Sequence, residues 1–227
     1  LENADLSAMD TAEATHHYLE ASALAFADRN RYVGDPDAVD VPLDELLSQE
    51  FAMERFCELD PEIAAPKPVA PGVPDGSYAD CGATAEATAV ADDAISTTHL
   101  TTADRWGNVV AYTLTIEQTG GSGIAVPGRG FLLNNELTDF NFAPTQGDAP
   151  DPNLPGPNKR PRSSMAPTIV LEDGRPFLTV GSPGGATIIG TVLQTLVNRI
   201  DRGMDLPDAL AAPRLAQLNG PTTIAEQ

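Results

Sequence analysis

The sequence predicts an α+β protein in which helices pack on the faces of a layered β-structure. Residues 10–32 have the capping residues and apolar spacing of a helix. Residues 97–118 and 166–182 each contain two strand-like runs around a glycine-containing turn. Residues 183–203 carry the broad apolar stripe of a helix that covers other structure. Strands followed by such a helix indicate a layered α+β sandwich.

Two helices are predicted in the first sixty residues. Asp10 is the expected N-cap of the first, and Glu13 three residues later makes a variant of the capping box. A second helix is expected from about Asp44 to Glu58. Its apolar positions are Leu46, Leu47, Phe51 and Phe56. Residues 1–60 therefore form a helical region.

Residues 61–96 have no helical or strand period and contain many prolines. A structureless segment of this length is unusual inside a compact domain. We interpret it as a mobile linker between the helical region and a third region, residues 97–227.

The third region begins with strands. The runs TTHLTTAD and VVAYTLTIEQ flank the turn RWGN, and GFLLNNEL (130–137) is predicted to be another strand. A second hairpin is expected around Asp173 and Gly174. A long helix follows within 183–203, and LPDALAAPR predicts one more short helix.

Composition excludes several classes of function. The net charge is −20, with −17 in residues 1–96 and −3 in residues 97–227, which argues against a nucleic-acid partner because phosphate contacts need Lys and Arg. No run approaches the roughly 20 apolar residues of a membrane span, and the N-terminal residues lack the pattern of a signal peptide. Cys57 and Cys81 allow one disulfide or two free thiols.

The stretch AISTTHLTTADRWGNVVAYTLT raises the question of chemistry, because it opens a strand with hydroxyl side chains directly after the linker. Strand propensity alone explains threonines here. The alternative is a nucleophile, since a threonine at a chain N-terminus can use its own α-amino group as the base. That amine has a reference pKa of about 7.7–8.0, so much of it is neutral near physiological pH. Thr97 is the candidate.

Three further elements could serve a reaction. SPGG (182–185) precedes the apolar helix, where backbone N–H groups bind anions or form an oxyanion hole; an ordinary strand–helix turn is the alternative. Ser163 and Ser164, within GPNKRPRSSMAPT, could hold a carboxylate or cap a turn. Glu136 and Asp139, within NNELTDF, could bind an ammonium group or lie on a solvated loop.

Taken together and in this order, these elements resemble the γ-glutamyltranspeptidases, members of the N-terminal-nucleophile hydrolase superfamily. The likeness rests on TTHLTTADRWGNVVAYTLT, GFLLNNELTDF, GPNKRPRSSMAPTIV and GSPGGATIIGTVLQ, and upstream on FADRNRYVGDPD (26–37). It covers about residues 20–55 and 97–218. The fold that it implies is a layered αββα sandwich, of which this chain is an incomplete portion.

The resemblance also implies roles for individual residues. Thr97 matches the nucleophile, and Ser96–Thr97 the bond that the precursor cuts in itself. Thr115 matches a threonine that orients the nucleophile. The remaining matches are Glu117, Glu136 and Asp139 for the substrate ammonium, Ser163 and Ser164 for its carboxylate, and Gly184 and Gly185 for the oxyanion hole. Glu117 departs from the pattern, because some members carry Asn at that position.

The implied activity is transfer of a γ-glutamyl group from glutathione or another γ-glutamyl amide to an amino acid, a peptide or water, with no metal or organic cofactor. The implied partner is the rest of the large subunit, which in this family carries the principal carboxylate-binding arginine. Relatives are usually secreted or periplasmic. A related acylase for β-lactam side chains and a noncatalytic fragment are the alternatives, and a fragment of this extent is expected to turn over substrate poorly.

Overall fold

A computed structural model describes residues 1–78 and 97–226. These residues form two compact units. The first unit comprises residues 1–78, 140–162 and 197–226, and the second comprises residues 97–139 and 163–196. Each unit is therefore assembled from segments that are distant in sequence.

The first unit is built around helix α1 (Thr11–Tyr32). The Asp10 carboxylate accepts hydrogen bonds from the backbone N–H groups of Ala12 (2.8 Å) and Glu13 (2.9 Å). The Glu13 carboxylate accepts one from the Asp10 N–H (2.9 Å), which completes the capping box. The predicted helix and its N-cap are confirmed.

The prediction of one continuous helix from about Asp44 to Glu58 is wrong. The structure has two shorter helices, α2 (Leu43–Leu46) and α3 (Gln49–Phe56). Ser48 interrupts them because its hydroxyl accepts a hydrogen bond from the Phe51 N–H (3.2 Å) and so begins a new helix. Leu47, expected to be an inward apolar position, is 76% exposed.

Buried ion pairs hold the beginning of the predicted linker. Glu20 on α1 binds the Lys67 ammonium at 2.6 Å. Asp28, also on α1, accepts hydrogen bonds from the Arg55 side chain (3.0 Å) and the Gly72 N–H (2.7 Å). Residues 67–72 are thus tied to α1 without forming a helix or a strand. Residues 79–96 of the predicted linker lie outside the described part, so the linker itself stays a prediction.

Two small elements complete the first unit. Helix α5 (Leu206–Ala211) confirms the short predicted helix. Strands β5 (Leu215–Ala216) and β6 (Ile224–Ala225) pair antiparallel, and the Tyr18 hydroxyl of α1 donates to the Leu215 carbonyl at 3.1 Å. Cys57 is disulfide-bonded, and Cys81 lies outside the described residues.

The second unit contains two antiparallel hairpins and a helix. Strand β1 (Thr97–Ala103) pairs with β2 (Val109–Thr115), and β3 (Thr168–Glu172) pairs with β4 (Arg175–Val180). Helix α4 (Thr187–Ile200) follows β4, and its residues up to 196 belong to this unit. The buried side chains of Val180, Ile188 and Val192 form the core between β4 and α4. Both predicted hairpins and the long apolar helix are confirmed.

The predicted strand at 130–137 is wrong. The structure has a single bridge between Ala125 and Leu132, followed by a 3-10 helix at Glu136–Asp139. Gly130 has a positive φ of 74°, which does not fit a regular strand. The Asn134 side chain accepts from the Glu136 N–H (3.1 Å), a local bond at the beginning of the 3-10 helix where the predicted strand was expected to continue. Within the described ranges, helices long and apolar enough to cross a membrane are absent.

Candidate active site

The proposed nucleophile and its orienting threonine face each other across the first hairpin. The antiparallel register pairs Thr97 with Thr115. Because alternate side chains of a strand share one face, both hydroxyls lie on the half-buried face. The Thr97 hydroxyl donates a hydrogen bond to Thr115 Oγ1 at 3.3 Å. The hairpin therefore brings together two residues that are eighteen positions apart.

Glu117 lies directly beyond this pair. Its backbone N–H donates to Thr115 Oγ1 at 2.8 Å, so Thr115 connects Thr97 to the loop after β2. Glu117 has φ 72°, an uncommon conformation for a residue with a side chain. It is only 4% exposed. A buried carboxylate held in an unusual backbone conformation is a feature that active sites commonly contain.

Three carboxylates gather at this place. Glu136 and Asp139 are three residues apart on the 3-10 helix, where side chains at this spacing eclipse one another. Burial raises the pKa of Glu136 above its ordinary value of 4.5, the hydrogen bond with Asp139 opposes this rise, and the negative charge of Glu117 adds to it. We call Glu117, Glu136 and Asp139 the acidic cluster. Its concentrated negative charge suits a cationic group.

Asn135 is a residue that the sequence reasoning missed. Its side-chain amide donates to the Glu117 carboxylate and to Thr138 Oγ1 (3.0 Å), and its Oδ1 accepts from the Gln118 N–H (3.2 Å). The only signal in the sequence is an Asn pair before the acidic turn, which is also typical of an ordinary loop.

The predicted serines occupy the segment that enters β3. Ser163 is exposed, and its hydroxyl accepts a hydrogen bond from the Met165 N–H at 3.1 Å. The turn-capping alternative thus describes Ser163 in this structure. Ser164 is half-buried and interacts with other groups of the protein.

The predicted oxyanion glycines shape the turn between β4 and α4. Gly184 has φ 137° and Gly185 has φ 57°, so both adopt conformations that favour glycine. A Cβ atom at Gly184 would lie 2.6 Å from Thr187 Oγ1. The Thr187 hydroxyl itself donates to the Gly184 carbonyl at 2.8 Å. This close packing leaves no room for a side chain at Gly184.

A histidine contacts the start of the same turn. The His99 ring, two residues after Thr97, lies so close to Gly181 that a Cβ atom there would be 2.2 Å from Nδ1. Hydrogen bonds with the hydroxyls of Thr113 (2.8 Å) and Thr101 (3.2 Å) hold this ring. Strand β1 is thereby packed against the end of β4.

The structure thus joins five of the predicted site residues. Thr97, Thr115 and Glu117 are linked by hydrogen bonds. The negative charge of Glu117 acts on Glu136, and Glu136 is hydrogen-bonded with Asp139. The serines and glycines lie on other segments of the second unit. Ser96 lies outside the described residues. Among the residues that the structure describes, clusters of three His, Cys, Asp or Glu side chains suited to a metal ion are absent.

Comparison with known proteins assigns the family. The sequence profile described as Gamma-glutamyltranspeptidase matches residues 1–226, and the chain belongs to this family. It is 49% identical over 198 residues to the glutathione hydrolase proenzyme of Bacillus subtilis strain 168, covering 86% of this chain and 32% of that protein. It is 40% identical over 224 residues to the glutathione hydrolase proenzyme of Escherichia coli strain K12, covering 94% and 36%.

A solved structure extends the comparison to the fold. The crystal structure of cephalosporin acylase from Bacillus halodurans matches with a TM-score of 0.74 and 28% identity, over 95% of this chain and 35% of that one. The chain thus spans about a third of the length of these relatives. The α+β fold is shared with this larger protein.

Proposed function

We propose that the protein containing this chain is an autoprocessing γ-glutamyl acyltransferase and hydrolase with Thr97 as its nucleophile. The single observation that carries the proposal is the hydrogen bond from Thr97 to Thr115, which in turn accepts from the Glu117 N–H beside the acidic cluster. Family membership supports the γ-glutamyl class. The matched relatives are named glutathione hydrolase proenzymes, which supports both the substrate and a precursor.

The first step is the formation of a new N-terminus. The Thr97 hydroxyl attacks the Ser96 carbonyl, and the resulting ester is hydrolysed, which leaves Thr97 with a free α-amine. That amine then accepts the hydroxyl proton in each turnover, because a threonine hydroxyl alone is a weak nucleophile.

The chemical steps follow a ping-pong route. Thr97 Oγ1 attacks the γ-carbonyl carbon of the donor, the amide bond breaks, and the amine leaves with a proton. The γ-glutamyl ester on Thr97 is then cleaved by water or by the amine of an amino acid or peptide. Gly184 and Gly185 are proposed to supply N–H groups to the oxyanion of each tetrahedral intermediate.

The substrate is held at both ends of its amino-acid group. The acidic cluster binds the α-ammonium, and Ser163 and Ser164 donate to the α-carboxylate. Charge-assisted hydrogen bonds at two points fix the acyl carbon against Thr97. In this proposal the Ser163 hydroxyl keeps accepting from the Met165 N–H and donates its own proton to the substrate. The rest of the large subunit contributes further contacts. No metal or organic cofactor takes part.

We place the chain in a layered αββα sandwich completed by the rest of the protein. The exposed apolar side chains on the outer face of the first hairpin support this placement, since Leu100, Tyr112 and Leu114 are 41–51% exposed. A contiguous apolar sheet face normally packs against another layer. A secreted or periplasmic location follows from the family and is part of the same proposal.

An acylase for β-lactam side chains is the second candidate, and the similarity to cephalosporin acylase favours it. The acidic cluster argues for the γ-glutamyl donor. An acyl group without an ammonium would leave three neighbouring carboxylates without a counter-charge, which is unfavourable in a partly buried site.

The test uses the full-length protein. We expect hydrolysis of γ-glutamyl-p-nitroanilide, and intact-mass measurement and N-terminal sequencing should find a chain that begins at Thr97. Activity on a cephalosporin side-chain amide without γ-glutamyl turnover would establish the acylase instead. A full-length protein that stays uncut and inactive on both substrates would leave only the noncatalytic alternative.

A further inference from the structure

Asn135 occupies the junction between the loop after β2 and the 3-10 helix of the acidic cluster. Its backbone N–H donates to the Ile116 carbonyl at 3.2 Å. Its carbonyl accepts from both the N–H and the hydroxyl of Thr138, each at 2.9 Å. The backbone of one residue therefore joins the two segments that carry Glu117 and Glu136–Asp139.

The side chain of Asn135 is oriented by partners of different kinds. Its Oδ1 faces a donor, the Gln118 N–H, and its Nδ2 faces two acceptors, the Glu117 carboxylate and Thr138 Oγ1. Turning the amide over would place oxygen against the carboxylate and nitrogen against an N–H group. The contacts thus admit one orientation, with the donor on Glu117.

This donor matters because Glu117 is buried. A carboxylate that is 4% exposed is costly unless it receives hydrogen bonds. Asn135 supplies one without neutralising the charge, which a Lys or Arg at the same place would do. The negative charge of the acidic cluster is therefore retained for a cationic ligand.

The same carboxylate is connected to the nucleophile. The Glu117 N–H donates to Thr115 Oγ1, which accepts the hydroxyl of Thr97. A path of hydrogen bonds thus runs from Asn135 through Glu117 and Thr115 to Thr97. Displacement of Glu117 would alter both the ammonium site and the orientation of Thr115.

We propose that Asn135 is a positioning residue that holds the acidic cluster as a preformed ammonium site in a fixed relation to Thr97. This inference rests on the proposed function. Asn135 does not touch the reacting atoms; it acts through Glu117. Its loss should therefore weaken donor binding more than it slows the chemical step.

The decisive variant is Asn135→Asp in the full-length protein. The change keeps the size of the side chain and removes the N–H group that donates to Glu117. It also adds a negative charge beside Glu117, at a place where Glu136 and Asp139 are the other charged groups. Like charges raise one another's carboxyl pKa. Without its donor and beside a like charge, Glu117 should leave its position or take up a proton, so the ammonium site is lost although a charge has been added. We therefore expect KM for γ-glutamyl-p-nitroanilide to rise about tenfold or more, kcat to change less, and the acid limb of kcat/KM to move to higher pH.

Asn134→Ala is the matched control. It removes the cap on the Glu136 N–H, which belongs to the same turn, and leaves the donor to Glu117 in place. A merely structural weakening of the turn would affect both variants, whereas the positioning role predicts a shifted acid limb for Asn135→Asp alone. Self-cleavage, followed by intact mass, and circular dichroism report whether each variant folds.

The outcomes separate this inference from the proposed function. A wild-type protein without γ-glutamyl turnover refutes both. An active wild type with an Asn135→Asp variant of unchanged KM and unchanged acid limb refutes only the role of Asn135. If that variant does not fold, Asn135→Ala, which adds no charge, tests the rise in KM. Failure of both to fold would also refute the role, because Asn135 would then serve the fold itself.

Discussion

A threonine nucleophile requires an oriented hydroxyl and a base, and the local geometry at Thr97 provides the first. The structure positions the hydroxyl 3.3 Å from Thr115 Oγ1, on the half-buried face of the hairpin. In the proposed mechanism the base is the α-amine of Thr97, which cleavage releases. In that mechanism the hydroxyl is needed twice, once for cleavage and once for turnover.

Thr97→Ala should abolish both self-cleavage and turnover, because one hydroxyl performs both steps. Thr98→Ala is the matched control, since Thr98 is exposed and points to the opposite face of β1. Intact mass and γ-glutamyl-p-nitroanilide hydrolysis measure the two effects. Cleavage that persists in Thr97→Ala would contradict the shared role of the hydroxyl.

Asp139→Asn should chiefly weaken donor binding. The change keeps the shape of the side chain and its capacity to accept a hydrogen bond, but it removes a charge from the ammonium site. Hydrogen bonds to charged groups contribute about 1.5–3 kcal/mol, so we expect KM to rise about tenfold to a hundredfold. Glu172→Gln on β3, a surface carboxylate outside the cluster, serves as the control. An unchanged KM would place Asp139 outside the binding site.

The acidic cluster also predicts how binding depends on pH. Burial is the main cause of the raised pKa of Glu136, so this carboxyl takes up a proton at a higher pH than an ordinary glutamate. Protonation removes one negative charge, and donor KM should therefore rise as the pH falls toward that pKa. Glu136→Gln should have a higher KM at neutral pH and a flatter acid-side dependence. Kinetics at pH values from about 4.5 to 8 would measure this, and an identical profile in both proteins would refute it.

Among the elements, the first hairpin pairs its two strands without a register shift, whereas the second hairpin has one between Val170 and Leu171. Its register pairs Thr97 with Thr115, and alternation puts His99 and Thr113 on the same face. The His99 ring packs on Gly181, the first residue after β4. The β1–β2 hairpin therefore contacts the turn before α4 where the His99 ring lies against Gly181.

Gly181→Ala should destabilise the second unit. The added Cβ would overlap the His99 ring at 2.2–2.6 Å, and the ring cannot turn away without losing its bonds to Thr113 and Thr101. Overpacking of this kind costs about 1–3 kcal/mol. Gly220→Ala is the control, because a Cβ there has nothing within 4 Å. Thermal unfolding of the full-length protein measures the loss.

A double-mutant cycle would identify the cause of that loss. Combining Gly181→Ala with His99→Ala removes the ring that the new methyl group meets. The glycine substitution should then cost much less than it does in the wild-type background. Additive effects of the two changes would show that the His99 contact is not responsible.

At the scale of the whole molecule, long-range contacts hold together a first unit built from three segments. Arg160 binds Asp35, which is 125 residues away in sequence, through its side chain (2.5 and 3.1 Å) and its backbone N–H (2.8 Å). The Asp35 side chain is 1% exposed. Arg160 also contacts Asp37, whose side chain is 83% exposed. The same arginine therefore makes one buried and one exposed contact.

The buried contact predicts a pH-dependent stability. Hydrogen bonds from the Arg160 side chain and backbone hold the pKa of Asp35 well below its ordinary value of 3.8. Its stabilising contribution is complete above the unfolded-state pKa and is lost as the pH falls through the lower, folded-state value. Asp35→Asn should lower the melting temperature at neutral pH and differ less from wild type in acid.

Asp37→Asn provides the comparison for this prediction. It touches the same arginine, but exposed ion pairs contribute little to stability. We expect its melting temperature to equal that of wild type within error. Equal losses for the two variants would mean that burial of Asp35 does not matter.

Local sequence determined those elements whose causes lie within a few residues. The Asp10–Glu13 capping box, the hairpin turns and the apolar period of α4 are interactions between near neighbours, so their sequence patterns predict them. The motif around Thr97 likewise indicated the family. The partnership of Thr97 and Thr115 was implied by the family resemblance, and the register of the first hairpin places the two residues opposite each other.

The three-dimensional structure decided the features for which several partners compete or the partner is distant along the chain. Ser48 divided the predicted second helix, since its hydroxyl caps a new one. The segment 130–137 became a loop and a 3-10 helix, because the positive φ of Gly130 and the bond from the Glu136 N–H to the Asn134 side chain do not fit a regular strand. The role of Asn135 appears only once residues 116–118 lie beside it. In the first two cases, bonds to neighbours within three residues competed with a longer helix or a strand, and the sequence pattern does not show which one is formed. In the third case the partners of Asn135 are distant along the chain, so no local pattern records them.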